Sequence, residues 1–422
     1  MGTLKAPKGM RDVLPEQSYQ WQYMENLIRG IVRKYGFLEA RTPVLEHTEL
    51  FLRGVGDSTD IVQKEMYTFL DKGDRSVTLK PEGTAGMVRM FVENNLFSEA
   101  QPTKLFYLNN PVFRYERPQA GRLREHHQFG VEMFGAPSPT ADAECIAIAT
   151  ELLHAIGCTD LSVRLNSIGC PNCRPQYHEA LQTYLTAQYD ALCETCKVRF
   201  NQNPLRILDC KVESCAEIAA GAPSVQDYLC DECQKHLSTL ETLLDTMGIV
   251  YVLTPTLVRG LDYYTKTVFE IVSDQLGAQS AVCGGGRYDG LVEEIGGPHV
   301  PGVGFGLGME RLLLLLENAG IEIPKPRRYD LYLASMGEAA NRKAFALACE
   351  LRKGGVCVEM DHVGRSFKAQ FKYADKIGAA YVLAIGEDEL NSGNCKVKTM
   401  ADGIETQTQL SASAIKNIIR GE

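Results

Sequence analysis

The stretch LVRGLDYYTKTVFEIV, residues 257–272, combines the composition of a β-strand with charged residues. Its Val, Tyr, Thr, Phe and Ile residues are typical of a β-strand. Arg259 and Asp262 nevertheless lie within it, and an unpaired charge buried in a core strand is costly. We therefore expect either a salt bridge between these two side chains at a strand edge or a strand whose charges face a ligand.

A second polar segment, residues 104–135, is predicted to form two strands joined by a long loop. The strand period of two places Arg114 and Glu116 on one face, and Gln128 and Glu132 on one face of the second strand. An antiparallel pair would gather these side chains into a single polar surface. Such a surface is either a solvated sheet face or a binding site, and its paired carboxylates and arginine favour the second interpretation.

Composition predicts how the chain is divided. The segment from residue 170 to 235 holds eight cysteines and several polar helices, which indicates an insertion. The sequence PKPRR at 324–328 is typical of a linker, and the alternating strands and helices after it indicate an α/β domain. The predicted parts are a catalytic core in two pieces, 1–169 and 236–325, the insertion 170–235, and a last domain 328–422.

Overall composition narrows the class of protein. With 45% hydrophobic and 23% charged residues among 422, the chain is an ordinary globular protein of two or three domains. No apolar segment typical of a secretory signal occurs near the N-terminus, and LLLLLE at 312–317 is too short to span a bilayer. We expect a cytoplasmic protein without a membrane segment. The net charge of −9 argues against a protein that coats nucleic acid, but allows a local basic patch.

Two nucleotide-binding motifs are absent from the sequence. The dipeptide Gly-Lys occurs nowhere, which excludes a P-loop. The glycines of residues 302–308 alternate and do not fit the dinucleotide fingerprint G-x-G-x-x-G. Any nucleotide site in this chain must therefore be of another kind.

Five segments together resemble the bacterial histidyl-tRNA synthetases, a family of class II aminoacyl-tRNA synthetases. These are LKPEGT at 79–84, FRYERPQAGRLREHHQFGVE at 113–132, LVRGLDYYTKTVFE at 257–270, GGGRYDGL at 284–291 and GVGFGLGMERLLLLLE at 302–317. The resemblance implies an α+β catalytic domain with a mixed, mostly antiparallel sheet flanked by helices, an inserted helical domain and a C-terminal α/β anticodon-binding domain. It also implies that ATP and Mg²⁺ activate L-histidine as histidyl-adenylate, which then reacts with the tRNA for histidine.

The resemblance assigns roles to individual residues. Arg259 and Arg114 would be catalytic, because both would contact the α-phosphate, where charge develops. Histidine would be bound by Glu82, Gly83, Thr84, Arg114, Gln128, Glu132, Arg259, Tyr263, Tyr264 and Tyr288. ATP would be bound by Arg114, Glu116, Arg122, His126 and Arg311.

Three positions raise questions about these roles. Tyr263 and Tyr264 are neighbours that a strand sends to opposite faces, so a bulge near Gly260 is expected if both line the pocket. His126 stands where relatives usually have Phe, which predicts weaker, pH-sensitive stacking on adenine. Lys80 stands where many relatives have Arg, and we expect little effect if it only supports its loop.

The tRNA is expected to meet two surfaces. The loop 117–125 would contact the acceptor end, although some of its arginines could instead hold ATP phosphates. In the last domain, basic residues recur every three or four positions and predict a helical stripe facing the anticodon stem. The predicted tRNA-binding residues are Arg117, Gln119, Arg124, Arg365, Lys368 and Lys372.

The cysteines of the insertion are either buried thiols or zinc ligands. A zinc ribbon that joined the pair at Cys170 to the pair at Cys193 is disfavoured, because a helix over 174–192 would hold its ends roughly 28 Å apart. The favoured set is Cys170, Cys173, Cys230 and Cys233, with a second possible set of Cys193, Cys196, Cys210 and Cys215.

Two wider expectations follow from the resemblance. The family associates as homodimers through the segment around Pro43, which would cover an exposed strand edge. Alternative functions are a non-catalytic, synthetase-like regulatory subunit of ATP phosphoribosyltransferase, or a class II synthetase for another amino acid. The first is disfavoured because the chain keeps Arg114, Arg259, Arg311 and the last domain; the second is disfavoured by the segment at 257–270.

Overall fold

The computed structural model describes residues 2–56, 59–119, 121–273 and 281–421. The chain forms two compact units, Met1–Ile323 and Pro324–Glu422. Among the described residues, no helix has the length and apolar character needed to cross a membrane.

The first unit is built on a large mixed sheet. The strands of this unit, in both of its sheets, are β1 Leu38–Glu39, β2 Leu45–His47, β3 Tyr67–Leu70, β4 Ser76–Leu79, β5 Thr103–Phe113, β6 Glu125–Phe134, β7 Ser162–Ser167, β8 Tyr251–Leu253, β9 Thr265–Val272, β10 Ala281–Arg287 and β11 Gly302–Gly308. Over the described ranges, the large sheet has the order β1-β5-β6-β11-β10-β9-β7-β8, and β2-β4-β3 form a small sheet. In the described part of this large sheet, the β1–β5 and β7–β8 pairs at the two edges are parallel and the other pairs are antiparallel.

Helices flank this sheet and form the insertion. They are α1 Pro15–Lys34, α2 Thr48–Val55, α3 Thr84–Glu93, α4 Pro139–Ala155, α5 Arg174–Thr186, α6 Glu194–Gln202, α7 Glu213–Ala220, α8 Asp231–Thr246, α9 Leu291–Glu294 and α10 Met309–Asn318. Apolar residues of α1, α4, α8 and α10 pack into one core with the sheet. A second core joins α3 and the insertion to the residues around Tyr263 and Tyr288. The segment at 257–264 therefore packs with this second core and not with the first.

The second unit has its own sheet. Its strands are β12 Leu331–Ser335, β13 Val358–Met360, β14 Tyr381–Ile385, β15 Asn394–Thr399 and β16 Glu405–Gln409, in the order β13-β12-β14-β15-β16. Its helices are α11 Glu338–Lys353, α12 Phe367–Lys376, α13 Glu387–Ser392 and α14 Ala412–Arg420. This α/β arrangement and the mixed sheet of the first unit confirm the fold class that the resemblance implies.

Three boundaries differ from the sequence prediction. The strand predicted over 257–272 begins only at Thr265, and the residues before it form turns and irregular backbone. The helix expected over 174–192 ends at Thr186 and is followed by a short 3₁₀ turn. The strand expected to carry Arg114 and Glu116 ends at Phe113, so both side chains project from the loop after β5.

A candidate active site on a glycine-lined face

Three neighbouring strands meet at glycines in the middle of the large sheet. Gly284 and Gly286 of β10 lie opposite Gly306 and Gly304 of β11. Gly306 also lies opposite Gly130 of β6. Alternate residues of a strand share one face, so these glycines form a patch of bare backbone on a single side of the sheet.

The space that these glycines leave is filled largely by polar side chains from other elements. A Cβ atom at Gly284 would overlap the Arg259 guanidinium, and one at Gly304 would overlap the Glu132 carboxylate. At Gly306 the nearest atoms would lie 3.8 Å away, which leaves open space above that residue. The patch is therefore the floor of a site whose walls are charged and aromatic.

Glu132 of β6 is the fully buried acid of this site. It accepts hydrogen bonds from Thr84 Oγ1 at 2.8 Å and from the Tyr288 hydroxyl. Burial raises the pKa of Glu132 to about 8, although the hydrogen bonds from Tyr288 and Thr84 favour the carboxylate. Glu82 is also buried, and it accepts the backbone N–H groups of Thr84 and Ala85 at 2.8 and 2.6 Å.

Tyrosine rings form a second wall. The Tyr263 ring lies 4.6 Å from that of Tyr264 and 5.6 Å from that of Tyr288, centroid to centroid. Both neighbours reach the same cluster because the backbone before β9 is irregular, so no bulge near Gly260 is needed. The bulge falls later, where Lys266 has a φ of 49° and the pairing with β10 shifts.

Arg259 lies beside the glycine patch with 23% of its side chain exposed. Its guanidinium pairs with Glu270 of β9, whereas Asp262 accepts a hydrogen bond from Asn203 at 2.8 Å. Within the described residues, the buried Arg259 Nε and Gln128 Oε1 atoms have no hydrogen-bond partner. Buried polar atoms are normally satisfied, so such atoms are expected where a ligand binds.

Arg114 and His126 lie together at the next part of the site. Arg114 Nε donates to the Pro81 carbonyl at 2.8 Å. Burial lowers the pKa of His126 to about 3, and the charge of Arg114 adds to this effect. This shift favours a neutral His126 ring at physiological pH, which counts against pH-sensitive stacking; the stacking itself stays a prediction.

The arginines of the loop differ in their surroundings. Arg122 pairs with Glu116, while Arg124 lies 3.9 Å above the Tyr115 ring and donates to the Glu116 carbonyl at 3.0 Å. Arg117 and Gln119 are exposed at the tip. The loop thus offers Arg122 and Glu116 to the site and presents the exposed pair to solvent.

Arg311 of α10 packs against the loop, where a Cβ atom at Gly121 would lie 3.3 Å from Arg311 Cγ. Burial lowers its pKa, the nearby Arg122 adds to this, and Glu270 opposes it. Arg311 therefore feels both the charge of Arg122 in the loop and that of Glu270, the partner of Arg259. The structure thus brings together the residues predicted to bind histidine and ATP.

Two residues of the site were missed from the sequence. The Tyr107 ring fills the space beside Gly83 and Gly130, and the Glu132 charge is among the causes that raise the pKa of Tyr107, after burial. Tyr107 lies in the apolar run KLFYLNN and reads as an ordinary core residue. The other is Glu270, whose charge in a strand of buried residues was a usable signal.

The basic residues predicted in the second unit do not all form one stripe. Lys368 and Lys372 lie exposed on α12. Arg365 precedes the helix, pairs with Asp361 at 2.7 Å and lies 3.9 Å above the Tyr373 ring. The exposed surface of this helix is therefore carried by the lysines.

The cysteines of the insertion form two groups. In each group the four sulfur atoms lie within 4.8 Å of one another. The first consists of Cys170, Cys173, Cys230 and Cys233, and the second of Cys193, Cys196, Cys210 and Cys215. These are the two sets favoured on the sequence.

Lys80 supports the loop before α3. It is buried, and its ammonium group donates to the Thr42 carbonyl at 3.3 Å and to Asn110 Oδ1. Burial lowers the pKa of Lys80 to about 8. These contacts with Thr42 and Asn110 agree with a supporting role for Lys80.

Comparison with known proteins relates nearly the whole chain to a single protein family. The sequence profile described as "Histidyl-tRNA synthetase" matches residues 9–312, and the one described as "Anticodon binding domain" matches residues 330–422. A histidine–tRNA ligase of Caldanaerobacter subterraneus subsp. tengcongensis is 59% identical over 415 residues, covering 98% of this chain and 99% of the relative. One from Clostridium perfringens is 54% identical over 418 residues, covering 99% and 100%.

A solved structure agrees with these relatives. Apo histidyl-tRNA synthetase of S. aureus superposes with a TM-score of 0.84 at 37% identity and covers 99% of both chains. Relatives named as ligases cover the chain nearly from end to end, so the regulatory-subunit alternative is not favoured. The chain belongs to the histidyl-tRNA synthetase family, the ATP-dependent ligases that join histidine to its tRNA.

Proposed function

We propose that histidyl-adenylate forms on the glycine-lined face, between the acid and tyrosine wall and the arginines. The observation that carries this proposal is the buried pair of carboxylates beside open backbone at Gly306, with Arg259 on the far side. A cationic amino acid needs carboxylates, and a phosphate needs a guanidinium. The two kinds of group lie along one patch of the sheet.

Histidine binding is assigned to the acidic and aromatic wall. Glu132, held by Thr84 and Tyr288, and Glu82, held at the start of α3, receive the ammonium group and the imidazole N–H. Gln128, with its unpartnered oxygen, supplies a further acceptor. Gly83 leaves room for Tyr107, and the rings of Tyr263 and Tyr264 enclose the side chain of the substrate.

ATP binding is assigned to the arginine wall. Arg114 and Arg259 contact the α-phosphate from two sides, Arg122 and Glu116 face the outer phosphates, and His126 and Arg311 enclose adenine. The histidine carboxylate attacks the α-phosphorus, a new P–O bond forms, and the bond to the pyrophosphate oxygen breaks. The enzyme supplies no nucleophile, so its contribution is alignment of the reactants and stabilisation of the developing charge.

Mg²⁺ is a general requirement of the family. Glu65 and Glu116 would hold such an ion: the Glu65 carbonyl accepts the Tyr115 N–H at 2.7 Å, which brings Glu65 beside the residue before Glu116, and the Glu116 charge adds to burial in raising the pKa of Glu65. Mg²⁺ keeps several waters and substrate phosphates as ligands and needs only one or two carboxylates. When bound with ATP it neutralises phosphate charge.

The tRNA contacts belong to the same proposal. Arg117, Gln119 and Arg124 face the acceptor end, and Lys368 and Lys372 on α12 face the anticodon stem, with Arg365 beside them. Exposure of the lysines and of Arg117 supports these roles. The acceptor-end residues follow directly on Arg114 and Glu116 in the loop, which suits transfer of histidine from the adenylate.

We also propose a cytoplasmic homodimer. The two-residue strand β1 lies at the edge of the large sheet, and Leu38 within it is 70% exposed. Exposed apolar residues continue on the small sheet at Phe69 and Leu70. The segment around Pro43 of a second copy of the chain would cover these residues.

Light scattering at micromolar concentration should therefore give the mass of a dimer. A fully active monomer would contradict this proposal.

The proposed site is tested by isotope exchange between pyrophosphate and ATP. We expect exchange that depends on histidine, because formation of histidyl-adenylate is reversible. Each of the other amino acids serves as a control. Equal exchange with another amino acid, or none with histidine, would contradict the assignment.

Replacing His126 with Phe provides a test of the adenine contact. Since the pKa of His126 is about 3, its ring should stay neutral at about pH 6 to 8. The ratio of the KM for ATP of His126→Phe to that of the wild-type enzyme should therefore stay within about tenfold of one. This ratio should not vary between about pH 6 and 8. A ratio that grows as the pH falls would show that His126 gains a proton.

A further inference from the structure

The spacing of the sulfur atoms in the insertion matches tetrahedral metal coordination. A zinc ion with four Zn–S bonds of about 2.3 Å requires sulfur atoms about 3.8 Å apart. In the first group, Cys170 Sγ lies 3.7 Å from Cys173 Sγ and 3.8 Å from Cys230 Sγ, and Cys173 Sγ lies 3.8 Å from Cys233 Sγ. In the second group, the sulfurs of Cys193 and Cys210 lie 3.9 Å apart.

The chemistry of both groups also favours zinc. Three of the four cysteine pairs have the C-x-x-C spacing, which lets two sulfurs share one ion. The backbone N–H of Cys170 donates to Cys173 Sγ, and that of Cys193 donates to Cys215 Sγ, both at 3.2 Å. Such donors stabilise thiolates around a metal. A polynuclear iron–sulfur cluster would put its cysteines on different irons and hence further apart.

The first group is joined directly to the segment that carries the site tyrosines. Arg174, the residue after Cys173, donates to the Tyr264 carbonyl at 2.6 Å. Gly169, the residue before Cys170, accepts the Lys266 N–H at 2.8 Å. The Lys266 ammonium group in turn pairs at 2.8 Å with Glu232, which lies between the other two cysteines.

The second group is joined to the same segment from another side. The residues between Cys196 and Cys210 include Asn203, which donates to Asp262 at 2.8 Å, and Arg206, which donates to the Arg259 carbonyl at 2.8 Å. Residues 259–264 form no regular strand, and β9 begins only at Thr265. Their conformation therefore depends on bonds from other parts of the chain: the Val55 carbonyl accepts the Asp262 N–H at 3.2 Å, and Asn203, Arg206 and Arg174 of the insertion supply the side-chain donors named above.

We infer that each cysteine group binds one Zn²⁺, with release of the thiol protons, and that the two ions fix the insertion so that it holds residues 259–266 in place. The role in holding this segment rests on the proposed function, since it assumes that the segment binds histidine and ATP. The metal sites themselves do not depend on that assumption. Zinc here has a structural role, because all four positions of each ion are taken by protein sulfur.

Metal analysis of the full-length purified protein tests the sites without any activity measurement. We expect about two zinc ions per chain. Cys233→Ser and Cys215→Ser should each lower the content to about one, whereas the matched control Cys158→Ser, a buried cysteine outside both groups, should leave it unchanged. Wild-type protein without zinc, or with iron in its place, overturns the inference, and an unchanged zinc content in either variant overturns it for that group.

The holding role is tested by Arg206→Ala, which leaves all eight cysteines in place. We expect unchanged zinc content and melting temperature, with kcat for pyrophosphate exchange lowered about tenfold through misplacement of Arg259. Arg206→Lys, which can still donate to the Arg259 carbonyl, should recover much of the rate. Unchanged kcat in Arg206→Ala overturns the holding role. Failure of the proposed function is distinguishable, because it would abolish histidine-dependent exchange in the wild-type protein.

Discussion

Replacing Arg259 with lysine is expected to slow formation of histidyl-adenylate by about a hundredfold, equivalent to roughly 3 kcal/mol of transition-state stabilisation. Lysine keeps the positive charge but loses the planar fork that can meet two phosphate oxygens at once. Transfer of histidine from preformed adenylate to tRNA should suffer much less, because Arg114 and water can also meet the charge on the departing phosphate. Single-turnover measurements of the two steps separate these effects.

The structure supplies the controls for this experiment. Arg259 pairs with Glu270, so a purely structural role would act through that pair. In that case Glu270→Gln should reproduce the defect of Arg259→Ala together with a lower melting temperature. Asp209→Asn is a suitable control, since Asp209 is exposed, pairs with Lys211 and makes no part of the segment around Arg259. A near-normal adenylation rate in Arg259→Lys would remove Arg259 from the catalytic residues.

Replacing Glu132 with glutamine is expected to raise the KM for histidine by about a hundredfold or more, because removing one partner of a buried charged contact costs about 2–5 kcal/mol. The shape of the pocket should survive, since glutamine can still bond to Thr84 and Tyr288. Glu93→Gln at the exposed end of α3 is a suitable control. An unchanged KM for histidine would exclude Glu132 from the contact.

The raised pKa of Glu132 gives this prediction a pH dependence. In the empty site its pKa is about 8, so the carboxyl is largely protonated at neutral pH. A bound histidine cation lowers that pKa, so binding releases a proton below about pH 8, and the affinity rises as the pH increases from about 6 to 8. Calorimetry in buffers with different ionisation enthalpies should detect the proton in the wild-type protein and not in Glu132→Gln.

Stability has the opposite dependence on pH. A buried glutamate whose pKa is raised above its unfolded value of 4.5 loses stability as the pH rises through the interval up to about 8. Glu132→Gln should therefore melt no lower than the wild-type protein at about pH 8. The melting temperature thus separates a loss of histidine affinity from a loss of folding.

Local patterns predicted the parts of this molecule that depend on local interactions. The alternation of residues around Gln128 and Glu132 predicted the β5–β6 pair, because a period of two follows from strand geometry alone. The length of a helix after Cys173 was sufficient to group the cysteines correctly, even though that helix ends early at Thr186. Each of these inferences needs only backbone geometry.

Other features depend on contacts that are distant in sequence. The residues around Arg259 have the composition of a strand, but Asn203 and Arg206 of the insertion bond to them and they form turns instead. Tyr107 could not be singled out either, because only its packing against Gly83 and Gly130 places its ring in the site. Tertiary packing overrides local preference at these positions.

The bare backbone under the site limits how this enzyme can evolve. At Gly284, Gly304 and Gly130 any side chain would collide with a residue of the site, and even alanine at Gly306 would place a methyl group in the space open to substrate. Single substitutions of these glycines are therefore expected to damage the site and cannot alter it gradually. A descendant with altered substrate preference would have to arise by exchange of side chains that reach over the floor from outside its strands, such as Tyr263 in the irregular segment before β9.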